Sequence, residues 1–262
     1  MYARAVQQRR VAASASTRSA LGALLVFDCE HDVPLIAIPR PEIQVVARFG
    51  PAARAGLDVH AFGPRHTVHR KLIRSGQRSV TARLRLGAAD AVLGVPASAL
   101  AGRIVGLEEL WGDAAARRLS ERLVHARDTV AAAAVLDRAI DERLATSGEP
   151  SVGSQIALAA ADSLPRASVN AVAIELGVSE RHLRRVFQET IGMTPKAFAM
   201  LARFHRALRA AREDRQAGWA SIAAAAGYYD QAHLIAEFRA TAGVTPRVLL
   251  RELSGVPSEE TA

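Results

Sequence analysis

The stretches AIELGVSERHLRRVFQETIGMTP, residues 173–195, and AAAAGYYDQAHLIAEFRATAGVTP, residues 223–246, say the same thing in the same order. Each runs short helix, Gly, polar turn, His-Leu, a Phe four residues past the Leu, Gly, then Thr-Pro. Gly177 matches Gly227 at an offset of 50. After one extra residue in the second turn, His182, Leu183, Phe187, Gly192 and Pro195 match His233, Leu234, Phe238, Gly243 and Pro246 at an offset of 51. A repeat of this kind decides how the rest of a chain is read. Two copies are too few for a solenoid, so each is a small supersecondary unit, and the pattern is that of a helix-turn-helix. Tandem copies predict two reading helices on one duplex.

Local signals support that reading. Ser168 is a natural N-cap for a helix over 169–176, and Gly177 can take the positive φ that ends it. Ser179 then caps a second helix over 180–190. Val172, Leu176, Val178, Leu183, Val186 and Phe187 form the small core between the two, which leaves Arg181, Arg184, Arg185 and Gln188 outside. A guanidinium can bond guanine N7 and O6 together, so a helix with Arg on its exposed first turns suits a major groove. An isolated Arg-rich helix would be read as a solvated face; the repeat and the Gly-Val-Ser turn favour DNA. Thr194-Pro195 starts the next helix, with Pro where its missing N–H costs nothing. Its buried stripe is Phe198, Leu201, Phe204 and Leu208. Running to about Arg212 it spans roughly 25 Å, enough to hold two recognition helices about one DNA turn, near 34 Å, apart.

LGVSERHLRRVFQETIGMTP, followed by AGYYDQAHLIAEFRATAGVTP, resembles the C-terminal domain of AraC/XylS-type bacterial transcription regulators. The resemblance covers about residues 154–252. It implies two helix-turn-helix units joined by a long helix, with DNA contacts on Arg181, Arg184 and Arg185 in the first unit and Gln231, Ala232, Ile235 and Ala236 in the second. This chain departs from the family at Ala236, where relatives usually carry Arg, and at Ile235, where a polar residue is commoner. Charge agrees: residues 166–215 hold ten basic and five acidic side chains, whereas 219–252 hold three of each. Phosphate attraction scales with the cations presented, so the first unit is expected to supply most of the specificity. The DNA-reading residues are thus Arg181, Arg184, Arg185, Gln188 and Gln231.

Upstream the pattern is different. LLVFD, PLIAIP, IQVVARFG, LDVHAFG, TVHRKLI and SVTARLRL, between residues 24 and 86, are short β-rich runs punctuated by Gly and Pro. They predict a small antiparallel barrel or sandwich. After Gly87 the apolar period becomes three-and-four, giving two amphipathic helices over 114–127 and 129–145. These either pack on the β-domain or form a dimer face. TSGEPSVGS at 146–154 has linker composition. The fold class is therefore α+β: a basic disordered arm over 1–20, a β-rich sensor or dimerisation domain with its helical pair over 21–145, and a linker over 146–153. The tandem helix-turn-helix domain follows over 154–254, and a disordered tail over 255–262. RLRLGAADAVLGVPASALAGRIVGLEELWG, residues 83–112, resembles an uncharacterised N-terminal domain of actinobacterial members of the same regulator family.

Composition sets the outer bounds. The chain has 262 residues, a net charge of +8 and an apolar half rich in Ala, long enough for two domains each with a core. Only Lys71 and Lys196 among 34 basic residues are Lys, an Ala/Arg bias that fits a GC-rich bacterial genome. Residues 1–150 carry a surplus of six positive charges and 151–262 a surplus of two, so overall charge permits nucleic-acid binding without locating it. Cys29 is the only cysteine, which excludes a disulfide framework or Cys-based zinc finger within one chain. No apolar run reaches the length of about 18 that spans a bilayer; a cytoplasmic protein without membrane contact is expected.

Other chemistry is weakly signalled. Cys29 and His31 alternate with Asp28, Glu30 and Asp32, and His60, His66 and His69 lie close, but neither set supplies the three converging ligands of a metal site. Trp111 reads as a core or interface anchor. No Ser-nucleophile motif, phosphate loop or HExxH is present. No catalytic residue, metal or cofactor is assigned, and ligand-binding residues stay open. The chain is thus expected to be a sequence-specific transcription regulator, an activator by family habit, acting on double-stranded DNA. Further partners implied by the resemblance are RNA polymerase, a small-molecule effector and a second copy of the chain. The rival readings are an enzyme whose catalytic barrel is tethered to DNA, and a non-specific nucleoid binder.

Overall fold

The structure is a computed structural model that describes residues 6–214 and 216–255. A β-rich N-terminal domain precedes an all-helical C-terminal one. The main sheet is antiparallel and open, in the order β1 (Val6–Val11), β2 (Leu21–Cys29), β7 (Arg78–Leu84), β4 (Gln44–Phe49), β5 (Leu57–Phe62), β8 (Ile104–Gly106). A second sheet pairs β3 (Val33–Ala37) with β6 (His69–Ile73). Strand alternation sends Leu24 and Val26, Val45 and Ala47, Val59 and Ala61, Val80 and Ala82 into one core. That core is closed by Leu119 and Leu123 of α3 (Asp113–Val124) and by Ala132, Ala133, Leu136, Ala139 and Ile140 of α4 (Thr129–Leu144). The helical pair therefore packs on its own β-domain. Two shorter helices, α1 (Ala89–Leu93) and α2 (Leu107–Trp111), flank β8 in sequence. Trp111 anchors there, its indole N–H donating to the Val92 carbonyl at 3.0 Å.

The basic arm expected over 1–20 is not an arm where it is described. Residues 6–11 pair with β2 in the register Val6↔Cys29 to Val11↔Leu24. Backbone pairing orders this edge strand while exposed Arg9 and Arg10 face solvent, which is how a natural sheet blunts an edge. The chain beyond is tied down by Asp137 of α4, which accepts from the Ser14 amide at 2.9 Å and from the buried Thr17 hydroxyl. The linker is also shorter than 146–153, because the Ser151 side chain caps α5 (Val152–Ser163). The tail beyond residue 255 lies outside the described residues.

The C-terminal domain continues with α6 (Val169–Glu175), α7 (Glu180–Ile191), α8 (Pro195–Glu213), α9 (Trp219–Ala226), α10 (Gln231–Ala242) and α11 (Pro246–Gly255). Phe187, Phe204 and Phe238 centre its core. Ile36 and Ile38, from β3 and the loop after it, belong to this core, whereas Val33 and Leu35 cluster with Cys29 and Ile73. β3 thus serves two cores with its two faces. On the same side as Ile36, Arg70 bonds Glu252 at 2.7 Å and the Ala242 carbonyl at 3.0 Å, and the Val68 amide donates to the Thr241 carbonyl. His205 of α8 reaches the Pro39 carbonyl at 2.8 Å. No helix among the described residues is long and apolar enough to cross a membrane.

Candidate nucleic-acid interface

The first unit is built as its sequence dictates. Ser168 accepts from the Ala171 amide and Ser179 from the His182 amide, both at 3.2 Å, so each helix starts on a side-chain cap. Gly177, at φ +66°, makes the left-handed turn between them, and the Val178 amide returns to the Ala173 carbonyl at 3.0 Å. Leu183, Val186, Phe187 and Ile191 are the buried face of α7, with Phe187 edge-on to Phe198. Arg181, Arg184, Arg185 and Gln188 are left exposed together on the other side. Arg184 pairs with Glu180, and Arg185 pairs with Glu189 at 3.1 Å. Exposed i,i+4 pairs contribute about 0.3–0.5 kcal/mol, so both guanidinium groups can exchange a carboxylate for a nucleic-acid acceptor at little cost.

The second unit repeats the backbone but not the surface. Gly227 turns at φ +85° and the Tyr228 amide returns to the Ala223 carbonyl at 2.9 Å. Asp230 caps α10 through the His233 amide at 2.7 Å. At the offset of 51, Arg181, Arg184, Arg185 and Gln188 correspond to Ala232, Ile235, Ala236 and Arg239. Gln231, Ala232, Ala236 and Arg239 are exposed, and Ile235 is half-buried. The five residues expected to read DNA therefore divide unevenly: four share one face of α7, and Gln231 stands alone on the first turn of α10.

A polar network that the sequence reading missed sits behind α10. Glu237 accepts from Arg203 of α8 at 2.8 Å and lies 3.2 Å from His233 Nε2. The Arg203 guanidinium lies 5.7 Å from the Tyr228 ring centre, and the His233 ring 5.4 Å from it edge-on. Burial first, and the Glu237 carboxylate second, push the Tyr228 hydroxyl well above its ordinary range, so it stays protonated. Arg206 donates to the Ala226 carbonyl at 2.9 Å and the Pro165 carbonyl at 2.9 Å, closing the end of α9. The repeat did carry a signal: Glu237 stands where the first unit has buried Val186. An acid at a core position of a repeat calls for a buried partner. The network fixes α10 against α8, which at 19 residues is about 28 Å long.

The remaining candidates are placed as follows. Cys29 is buried, and its thiol donates to the His31 carbonyl; burial is the main cause that raises its pKa. His60 is buried on β5 with Nδ1 3.0 Å from Asp58, which also pairs with Arg48. Desolvation, with Arg48 second, lowers the His60 pKa, while His66 and His69 are exposed. Among the described residues no three His, Cys, Asp or Glu side chains gather as a metal site.

Residues 172–252 match a family model described as a helix-turn-helix domain. This segment is an AraC-type helix-turn-helix domain. The matched span holds both turns and all of α7 and α10, so both candidate faces lie within the helix-turn-helix domain. No curated protein matches the chain. Among solved structures it is similar to ToxT from Vibrio cholerae. Unsaturated fatty acid-bound ToxT of strain SCE256 is 11% identical over 92% of this chain and 100% of that one, with a TM-score of 0.44. ToxT from strain O395 is 11% identical over 97% and 100%, with a TM-score of 0.41.

Proposed function

We propose that this chain is a sequence-specific DNA-binding transcription regulator that reads its operator chiefly through α7. The observation that carries the reading is the exposed set of Arg181, Arg184, Arg185 and Gln188 on one face of the second helix of an AraC-type unit. Three guanidinium groups on neighbouring turns can bond guanine edges and the flanking phosphates at once. In the second unit the same positions are Ala, Ile and Ala with Arg239 at the end, so fewer polar base contacts are available. Activation, contact with RNA polymerase, and an effector or dimer partner for the N-terminal domain belong to this proposal through the family resemblance. So does a domain boundary between α4 and α5.

Selection of duplexes from a random pool by the full chain tests it. The expected outcome is a defined site with guanine at the α7 positions. Arg184→Ala should lower affinity for that site by about 1–3 kcal/mol and relax preference at one base pair. Equal binding to every duplex, with a salt dependence set by phosphate contacts alone, would instead identify a non-specific binder.

A further inference from the structure

Four positions that present Arg, Arg, Arg and Gln on α7 present Ala232, Ile235, Ala236 and Arg239 on α10. The substitution is not a loss of a surface but a change in its chemistry. Ala232, Ala236 and Arg239 are exposed at i, i+4 and i+7, on one stripe of the helix, with Ile235 beside them. The acids nearby are withdrawn: Asp230 is engaged as the N-cap and Glu237 is held inward by Arg203 and His233. Tyr229, just before the Asp230 cap of α10, is 93% exposed.

We infer that α10 reads thymine: its apolar stripe packs on the C5 methyl groups of an A·T-rich segment in the major groove next to the one entered by α7. The inference rests on the DNA-reading function proposed above. Ala and other small apolar side chains recognise a base in the major groove through the thymine methyl, the one apolar group displayed there, and Gln231 pairs with adenine N6 and N7. Arg239 at the far end of the stripe is left for phosphate. The α8 helix, about 28 Å long, and the network that locks α10 onto it hold the stripe at a fixed distance from α7. The operator is therefore composite, with guanine under the first unit and thymine under the second.

Uracil is the probe, because replacing thymine by uracil removes only the methyl. The full chain is titrated at fixed salt against its selected duplex, with thymines of one groove segment at a time replaced by uracil, and the duplex is footprinted in parallel. Uracil in the second segment should weaken binding about four-fold per contacted methyl, and uracil in the first segment should change it little. Ile235→Ala should shrink the second-segment penalty. Equal affinity for thymine and uracil in the second segment, a demand for G·C there, or protection of a single groove overturns the inference and leaves the regulator reading standing. Absence of any selected sequence removes both.

Discussion

The two helix-turn-helix units share a backbone and differ in what holds it. Both turn on a glycine in the left-handed region, both cap the second helix with an oxygen side chain, and both end that helix on glycine, at φ +79° for Gly192 and +72° for Gly243. The first unit closes on hydrocarbon, with Val186 and Phe187 buried. The second keeps Phe238 but replaces the valine by Glu237 and needs Arg203, His233 and Tyr228 to accommodate it. Outside, the order reverses: Arg181, Arg184 and Arg185 on α7 give way to Ala232, Ile235 and Ala236 on α10. A repeat therefore fixes the path of the chain and leaves each face free to specialise.

The N-terminal domain holds the units differently too, and removing it should have the largest effect. Loss of residues 1–145 strips Ile36 and Ile38 from the C-terminal core. Each buried isoleucine stabilises by about 1.5–3 kcal/mol. The fragment should still fold and keep its sequence preference, with a denaturation midpoint well below that of the full chain. Both units lose contacts, unit one those of Ala97 and Pro64 at Gly192 and unit two the Arg70 bonds to Glu252 and Ala242, so the amide hydrogens of both should exchange faster than in the full chain. A fragment as stable as the whole protein would show that the two isoleucines belong to the N-terminal domain alone.

The matched glycines give a sharper comparison. A Cβ on Gly192 would meet the Ala97 carbonyl oxygen at 2.7 Å and Pro64 at 2.8 Å, whereas one on Gly243 would meet nothing within 4 Å among the described residues. Gly243→Ala should cost about 1–2 kcal/mol from the left-handed backbone alone. Gly192→Ala adds about 1–3 kcal/mol of overpacking, because the N-terminal domain presses on the end of α7. Urea denaturation of both variants checks this, and equal losses would mean that the two domains part easily at this seam.

What was legible in the sequence is local. Ser168, Ser179 and Gly177 act within a few residues of where they stand, and the stripe Phe198, Leu201, Phe204, Leu208 is one face of one helix. The strand runs between 24 and 86 announced themselves by β-branched residues between Gly and Pro. The unread part depends on partners far away in the chain. VQQRRV has no period of two and becomes a strand only because β2 offers an edge. The apolar faces of PLIAIP say that both are buried, not that they are buried in different domains. Arg70 and Glu252, 182 residues apart, look like ordinary surface charges until the fold joins them. For the candidate site, the exposed face of α7 follows from helical period, whereas the inward turn of Glu237 depends on Arg203 of another helix.

The smallest effect is the most direct test of the contrast between the faces. Ala236 is exposed at the position of Arg185, and the acid one position on, Glu237, is already engaged by Arg203 and His233. An arginine placed at 236 has no free carboxylate at i+4, since residue 240 is Ala, so its charge would be presented outward. If α10 lies in a groove, Ala236→Arg should tighten binding at low salt and steepen the slope of log affinity against log salt by about 0.9, one phosphate equivalent. It should also weaken the preference for thymine in the second segment, because a guanidinium displaces the methyl contact and favours guanine. These two effects separate the possibilities: a steeper slope with unchanged thymine preference places residue 236 against the backbone beside the groove. No change in either would show that the second face does not meet DNA, and the contrast between the units would then be one of packing alone.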